Sequence, residues 1–441
     1  MSPVSKGFKQ EGTLIFTLLL PSSKIDKTTE AKMKIFLIFL LICAFSCQHK
    51  QNRLRSNEAK HLNKPYVIMV SIDGYRHDYA KLHDAPFMKN IEKTGNYAPL
   101  KSVFPTKTFP NHVSLVTGLK AGHHGIVSNR FYDRKRKESY LIGNKKNMSD
   151  GSWYGGEPIW VAAHKQGMMS ASFFWVGSDA NIQNLYPTYY YPYNQSIPNE
   201  RRVDQVIKWL KLPKAQRPHF LTLYFSDVDS AGHSYGPKST QVKKAVQDID
   251  SELKRLYRET NKLGLPVNFI FVSDHGMTKI KHNLYLSELI TMDDAIMMEE
   301  RGPFVHLYIS DPQIKERAYR QLKKNKKLSV YKKGQFPKSY GYDHPDRTAE
   351  LTLVMKPGYY LLEKPQAKKV TGGTHGHDNK ESRDMFGIFY AKGPSIKSKG
   401  VMKPIDNIHV YPFVMDILGL EVKTKIDGKR EVLSHLLNHH M

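Results

Sequence analysis

Tyr66-Val-Ile-Met-Val-Ser-Ile72, followed at once by Asp73-Gly74, is an almost unbroken apolar run that ends on an acid. A strand with one wet face alternates apolar and polar residues, whereas a strand buried on both faces does not. The run therefore reads as an inner strand of a parallel sheet. Ser170–Trp175, Phe220–Phe225, Val267–Val272 and Met385–Tyr390 read the same way. Between them, Gly156–Lys165, Arg201–Leu212 and Gln241–Lys262 carry helical periodicity. In the last, Val242, Ala245, Val246, Ile249, Leu253 and Leu256 make one apolar stripe, which Gly264 and Pro266 bring to an end. Strands alternating with helices predict an α/β fold, doubly wound on a mostly parallel sheet.

The acids fall at the ends of these strands. Phe220–Phe225 runs into Asp227-Val-Asp229-Ser-Ala-Gly-His233, and Val267–Ser273 runs into Asp274-His275-Gly276. Open parallel sheets bind ligands at the carboxyl ends of their strands, so three strands deliver Asp, Asp/His and Asp/His to one edge. A lone Asp-Gly reads as a turn. Three such ends, with Gly372-Gly-Thr-His375-Gly-His377-Asp378-Asn379 added, read as a site. Carboxylates and imidazoles without thiolate suit two divalent cations, most naturally zinc, and calcium or magnesium less well. A metal pair roughly 3.5–4 Å apart can clamp both the attacking and the leaving oxygen of a phosphoryl displacement.

A nucleophile candidate lies in Phe104-Pro-Thr-Lys107-Thr108-Phe109-Pro-Asn-His112, ahead of a helix expected over His112–Leu119 with Pro110 near its first turn. A hydroxyl there faces the positive end of the helix, and metal coordination would activate it further. On local sequence alone, Thr108 is equally a plain helix cap. The metal constellation favours the nucleophile.

Composition sets the frame. The 441 residues hold 67 Lys and Arg against 41 Asp and Glu, a net charge of +26. Hydrophobic residues make up 40%, which supports a large core and excludes a wholly disordered chain. Two Cys exclude a disulfide framework and a Cys-based zinc finger. The basic runs Arg134–Lys137, Lys323–Lys327 and Lys332–Lys333 are short and dispersed. They imply attraction of an anionic substrate and no sequence-specific nucleic-acid binding.

At the amino terminus, Lys32-Met33-Lys34 precedes the apolar run Ile35–Phe45, which fits a secretory signal and is too short to span a bilayer. The basic head adjoins Met33 rather than Met1, so residues 1–32 read as an upstream over-read and 33–47 as the signal. Ala44-Phe45-Ser46-Cys47 resembles a bacterial lipoprotein signal, in which a lipid on Cys47 would attach the chain to a membrane. A plain cleaved signal is the alternative. Both predict export, to the periplasm or as a membrane-anchored lipoprotein. Residues 48–64 then read as a polar linker, and 65–441 as the catalytic domain.

Six motifs in order resemble the nucleotide pyrophosphatase/phosphodiesterase family of the alkaline phosphatase superfamily. They are Ser71-Ile-Asp73-Gly74-Tyr75-Arg76, Pro105-Thr-Lys-Thr108-Phe-Pro-Asn-His112, His124-Gly-Ile-Val-Ser-Asn129, Asp229-Ser-Ala-Gly-His233, Ser273-Asp-His-Gly-Met277 and His375-Gly-His-Asp-Asn379. The match extends from about Pro65 to Leu420. It implies an alkaline-phosphatase-like fold with inserted cap segments and two zinc ions. Asp229, His233 and His375 would hold one ion; Asp73, Asp274, His275 and the oxygen of Thr108 would hold the other. Thr108 would attack phosphorus and form a phospho-threonine ester, with Asn129 bonding a non-bridging oxygen. Phe109 and Tyr190 would sandwich a base. Lys107 and Arg130 flank the site as candidates for further phosphates, with plain surface charge as the alternative.

Two positions depart from the family pattern. Val228 stands where Pro is usual, and His377 where an aromatic is usual, so His377 could compete with His375 for metal or bind substrate. His112, His123 and His124 read as structural hydrogen-bonders, and His439 and His440 as inert. A phosphate monoesterase or a phospholipid or choline phosphodiesterase of the same superfamily is the nearest rival. The segment from Met292 to Gly372, a candidate cap, would decide between them. A non-enzymatic polyanion-binding lipoprotein is the rival from another class, and it predicts strong salt dependence with no need for metal.

Overall fold

A computed structural model describes residues 54–438. The expected signal, Cys47, and His439 with His440 lie outside these residues. The expected linker lies partly inside them, and there it is docked rather than loose. Asn57 donates to the Arg217 carbonyl (2.8 Å) and accepts from the Met169 N–H (2.7 Å), and the buried His61 ring meets the Gln166 carbonyl at 2.7 Å.

The strand Tyr66–Ile72 occupies the middle of the main sheet, parallel to Phe220–Phe225 on one side and Val267–Val272 on the other. Ser170–Phe173 and then Tyr189–Tyr191 extend the sheet in parallel beyond Phe220–Phe225. On the opposite side Gly387–Lys392 runs antiparallel to Val267–Val272, and Asn96–Lys101 pairs antiparallel beyond it. Gly387–Lys392 is thus reversed within an otherwise parallel sheet. All seven residues of Tyr66–Ile72 are buried, which is why the sequence does not alternate. Val67 and Met69 enter a core with helices Thr108–Thr117, Ile159–Lys165 and Val410–Leu418. Ile68, Val70 and Ile72 enter a second core with helices Pro86–Thr94, Asn199–Leu210 and Thr240–Asn261. The fold is α/β, with helices on both faces.

The segment after Met292 forms its own layer. Strands Ile296–Glu299, Phe304–Ile309, Leu351–Met355 and Leu328–Lys332 pair antiparallel in that spatial order. Helix Pro312–Lys323 covers them through Ala318 and Leu322 over Val305, Leu307 and Leu353. Arg347 fastens this layer to the body. Its buried guanidinium bonds Asp133 (2.8 Å) and the carbonyls of Gly125 (2.7 Å) and Trp153 (2.8 Å).

Candidate active site

Asp73 follows the central strand directly and reaches the sheet edge with no intervening loop. Gly74 then turns the chain at φ +66°, and a Cβ there would come within 3.0 Å of the Cα, Cβ and Oδ1 of Asp229. Glycine is required on both counts, since no side chain fits the gap and few residues adopt that φ. Asp229 and His233 lie one turn apart on helix Asp227–Tyr235, so they share a face, with His233 Nε2 3.4 Å from Asp229 Oδ1. His375 arrives from the far end of the sequence. Gly373–Thr374 pairs antiparallel with Thr278–Lys279, and this short ribbon lays the His375 ring on that of His275 at 3.5 Å and 10°.

The six expected metal ligands therefore converge. Asp229, His233 and His375 form one group of atoms mutually within 4.8 Å; Asp73, Asp229 and His275 form another, and Asp73, His112 and Asp274 a third. His275 Nε2 lies 2.9 Å from Asp274 Oδ2 and 3.4 Å from Asp73 Oδ1. The first group is the set expected for one ion. In the other two groups Asp73 sits between Asp229 and Asp274, so the carboxylates bridge the two halves of the site.

The donor set fits cations. Asp73 Oδ1, Asp229 Oδ1 and Asp274 Oδ2 are buried with no hydrogen-bond donor, a costly arrangement unless a positive charge faces them. The Nδ1 atoms of His233, His275 and His375 face the carbonyls of Gly373 (3.0 Å), Gly276 (2.9 Å) and Thr106 (2.9 Å). A carbonyl only accepts, so each Nδ1 carries the proton and each Nε2 turns a lone pair to the centre, as metal-binding imidazoles do. Burial and the neighbouring Asp274 and Asp229 carboxylates push Asp73 well above the usual carboxylate range. Burial also opposes the charge on Asp274, while the positive charge of His275 and His112 when protonated, with the Gly74 N–H on Oδ1 at 3.2 Å, holds that carboxyl down. Burial, His275 and His233 push His375 far below its ordinary value, leaving it neutral.

Thr108 is the first residue of helix Thr108–Thr117, which begins four residues earlier than the sequence suggested, with Lys107 as its cap. Pro110 is accommodated because the first-turn N–H groups have no intrahelical partner to lose. Thr108 is thus neither outside the helix nor its cap, and its Oγ1 stands 3.2 Å from His275 Nε2. Asn129 Oδ1 accepts from the Phe109 N–H at 2.9 Å, which leaves its NH2 group as the donor. His112 is a structural group, with Nδ1 on the Thr108 carbonyl (2.9 Å) and Nε2 on Ser71 Oγ (2.8 Å).

A cavity of about 800 Å³ opens beside the ligands, lined by Lys107, Asn129, Arg130, His233 and His375 from the body. Met298, Glu300, Arg301, Tyr360 and Glu363 line it from the segment expected to be a cap. Phe109 and Tyr190 are not in its lining: Phe109 meets Tyr140 edge-on, and Tyr190 stacks on Tyr186 at 5.1 Å. Lys107 and Arg130 do not stand as unpaired surface charges. The buried Lys107 pairs with Glu300 (3.3 Å), and Arg130 pairs with Glu299. His377 stands in none of the three ligand groups found among the described residues. It is buried with Nδ1 on the Met355 carbonyl (2.8 Å), and burial pushes it down to about 4. Tyr224, whose hydroxyl donates to Asp73 Oδ2 at 2.6 Å, was not foreseen. The only available signal was its place next to last on the strand Phe220–Phe225.

Comparison with known proteins agrees with this geometry. The model of the family "Type I phosphodiesterase / nucleotide pyrophosphatase" matches residues 67–378. Human ectonucleotide pyrophosphatase/phosphodiesterase family member 1 is 38% identical over 394 residues, covering 85% of this chain and 42% of that protein. The venom phosphodiesterase of Naja atra is 36% identical over 389 residues, covering 85% and 46%. The chain thus spans about half the length of these curated relatives. Among solved structures, murine ectonucleotide pyrophosphatase/phosphodiesterase 5, in an inactive form with one threonine replaced by alanine and in complex with AMP, superposes with a TM-score of 0.80 at 30% identity. That alignment covers 85% of this chain and all of the murine one. With its motifs in order, its ligand cluster assembled and its fold shared, the chain belongs to the Type I phosphodiesterase / nucleotide pyrophosphatase family of the alkaline phosphatase superfamily.

Proposed function

We propose that this protein hydrolyses phosphodiester and pyrophosphate bonds of nucleotides, using two zinc ions and a phospho-threonine intermediate on Thr108. The observation that carries the reading is the set of partnerless carboxylate oxygens facing imidazole Nε2 atoms, with the Thr108 hydroxyl at 3.2 Å from one of them. Asp229, His233 and His375 would hold one ion, and Asp73, Asp274 and His275 the other. When bound, the ions lower the pKa of the attacking hydroxyl and offset charge on the phosphoryl oxygens.

The chain supplies the rest. The Thr108 hydroxyl gives up its proton to solvent as its oxygen attacks phosphorus in line; the new P–O bond forms as the bond to the leaving oxygen breaks, and that oxygen departs with the electron pair as an anion. The first turn of its helix offers backbone N–H groups and a positive dipole end to the anion. The Asn129 amide donates to a non-bridging oxygen as charge grows there. Water then cleaves the ester and restores the threonine. The resemblance assigns base stacking, which tolerates any base, to Phe109 and Tyr190; both stand outside the cavity lining, so a base held between them would lie beyond that cavity. The AMP complex of the murine relative and its inactive form with one threonine replaced by alanine support a nucleotide substrate and a threonine nucleophile. Relatives named as ecto- and venom enzymes support export of this chain.

The test is metal analysis joined to a chelator-sensitive assay on the nitrophenyl ester of a nucleoside monophosphate. We expect about two zinc per chain, loss of turnover with chelator, and a fall of at least about 10³-fold in Thr108→Ala. Turnover surviving in Thr108→Ala removes the covalent step, and faster hydrolysis of plain nitrophenyl phosphate moves the protein to the monoesterases.

A further inference from the structure

Two consecutive glutamates at the end of the cap strand Ile296–Glu299 take both cations of the cavity's body side. Glu299 is buried, paired with Arg130 and accepting from Ser139 Oγ at 2.7 Å. Glu300 uses both carboxylate oxygens. Oε1 faces Lys107 Nζ at 3.3 Å, and Oε2 accepts from Ser128 Oγ (2.9 Å) and the Arg130 N–H (3.0 Å). One carboxylate from the cap thus bridges the residue before the nucleophile and the residues on either side of Asn129. Glu300 holds this place at φ +69°, a left-handed backbone that a non-glycine residue adopts only when its surroundings compel it. Lys107 itself leans on the metal-ligand loop, since a Cβ on Gly376 would meet its Cε at 2.9 Å. The Lys107 ammonium in the cavity wall is therefore already neutralised, at a buried position where charge is poorly screened by water.

We propose that Glu300 is a specificity-determining residue: by neutralising Lys107, it biases the cavity toward diesters carrying a single phosphate charge and against nucleoside polyphosphates. The proposal rests on the diesterase reading above. An additional phosphate near Lys107 meets the Glu300 carboxylate as well as the ammonium, so its attraction is cancelled. A substrate with one phosphoryl group does not encounter this term.

The experiment measures kcat and KM for the nitrophenyl ester of thymidine monophosphate and for ATP in the zinc-loaded protein. Glu300→Gln keeps the shape and removes the charge; Glu300→Gly relieves the left-handed backbone and guards against a folding artefact. Both are expected to raise kcat/KM for ATP relative to the nitrophenyl ester by about tenfold, or about 1.4 kcal/mol, mainly through KM. In a Lys107→Met background the same change is expected to leave the ratio fixed, because the coupled pair is already broken. Equal loss on both substrates would make Glu300 a structural brace and overturn the proposal. An unchanged ratio in an active protein does the same while leaving the diesterase reading intact. A wild-type protein inactive on both substrates refutes the diesterase reading itself.

Discussion

Asp73 illustrates what a residue-level reading reaches and where it stops. Its place at the sheet edge beside other acids and imidazoles could be read because Asp is foreign to a buried strand and stands at the end of one. Its partner Tyr224 could not, because a tyrosine near a strand end is ordinary and only the fold puts its hydroxyl 2.6 Å from Asp73 Oδ2. Lys107 and Arg130 mark the same limit. Their chemistry was visible, but their pairing with Glu300 and Glu299 crosses 193 and 169 residues of chain. The Tyr224 bond fixes the rotamer of a ligand, and such outer partners are worth roughly 10–100-fold in metal affinity. Tyr224→Phe is expected to weaken retention of the bound metal by that factor with the thermal melt little changed, as read by competition with a chelating dye. Unaltered retention means that Asp73 is held by the metal alone.

At the scale of elements, the legible parts were those with a single physical demand. Tyr66–Ile72, Phe220–Phe225 and Val267–Val272 are buried on both faces, and their ends in the structure match their apolar runs. Met385–Tyr390 was shifted: a short 3-10 turn takes Arg383–Met385, and the strand runs Gly387–Lys392. Asn96–Lys101 went unseen because Pro99 and polar ends mask an inner position of the sheet. The cap strands were unreadable because lysine-rich stretches and short turns break their alternation. What anchors that cap is a buried cation, Arg347, held by Asp133 and two carbonyls. Removing one partner of a buried pair leaves the other uncompensated, at a cost of about 3–5 kcal/mol. Arg347→Met should lower stability by about that much in urea denaturation, and should open the segment 296–355 to hydrogen exchange ahead of the main sheet. Exchange that rises uniformly across the chain shows that the cap and body unfold as one.

Across the whole molecule, acidity is the expected weakness. Burial pushes His219 down to about 4, and His124 and His306 to about 3. Unfolded, each regains its ordinary value near 6.5 and takes up a proton that the folded form refuses. The unfolded state therefore binds more protons below pH 6.5, and folding stability falls as pH falls from there toward 4. The slope is roughly 1.4 kcal/mol per pH unit for each such histidine. Full stability should be present at pH 7.5 and a sizeable part of it lost by pH 5, as seen in the urea midpoint; an unmoved midpoint shows that these rings gain water on acidification. The three candidate ligand imidazoles are each steered by a peptide carbonyl, of Gly373, Gly276 or Thr106. No exchange of side chains can delete a carbonyl. Drift in the surrounding sequence, or deliberate replacement of Asp73, Asp229 or Asp274 to favour another ion, would leave the rings aimed as they are. The candidate cation cradle is thus written in the path of the main chain, where its preference among ions would be re-tuned one carboxylate at a time.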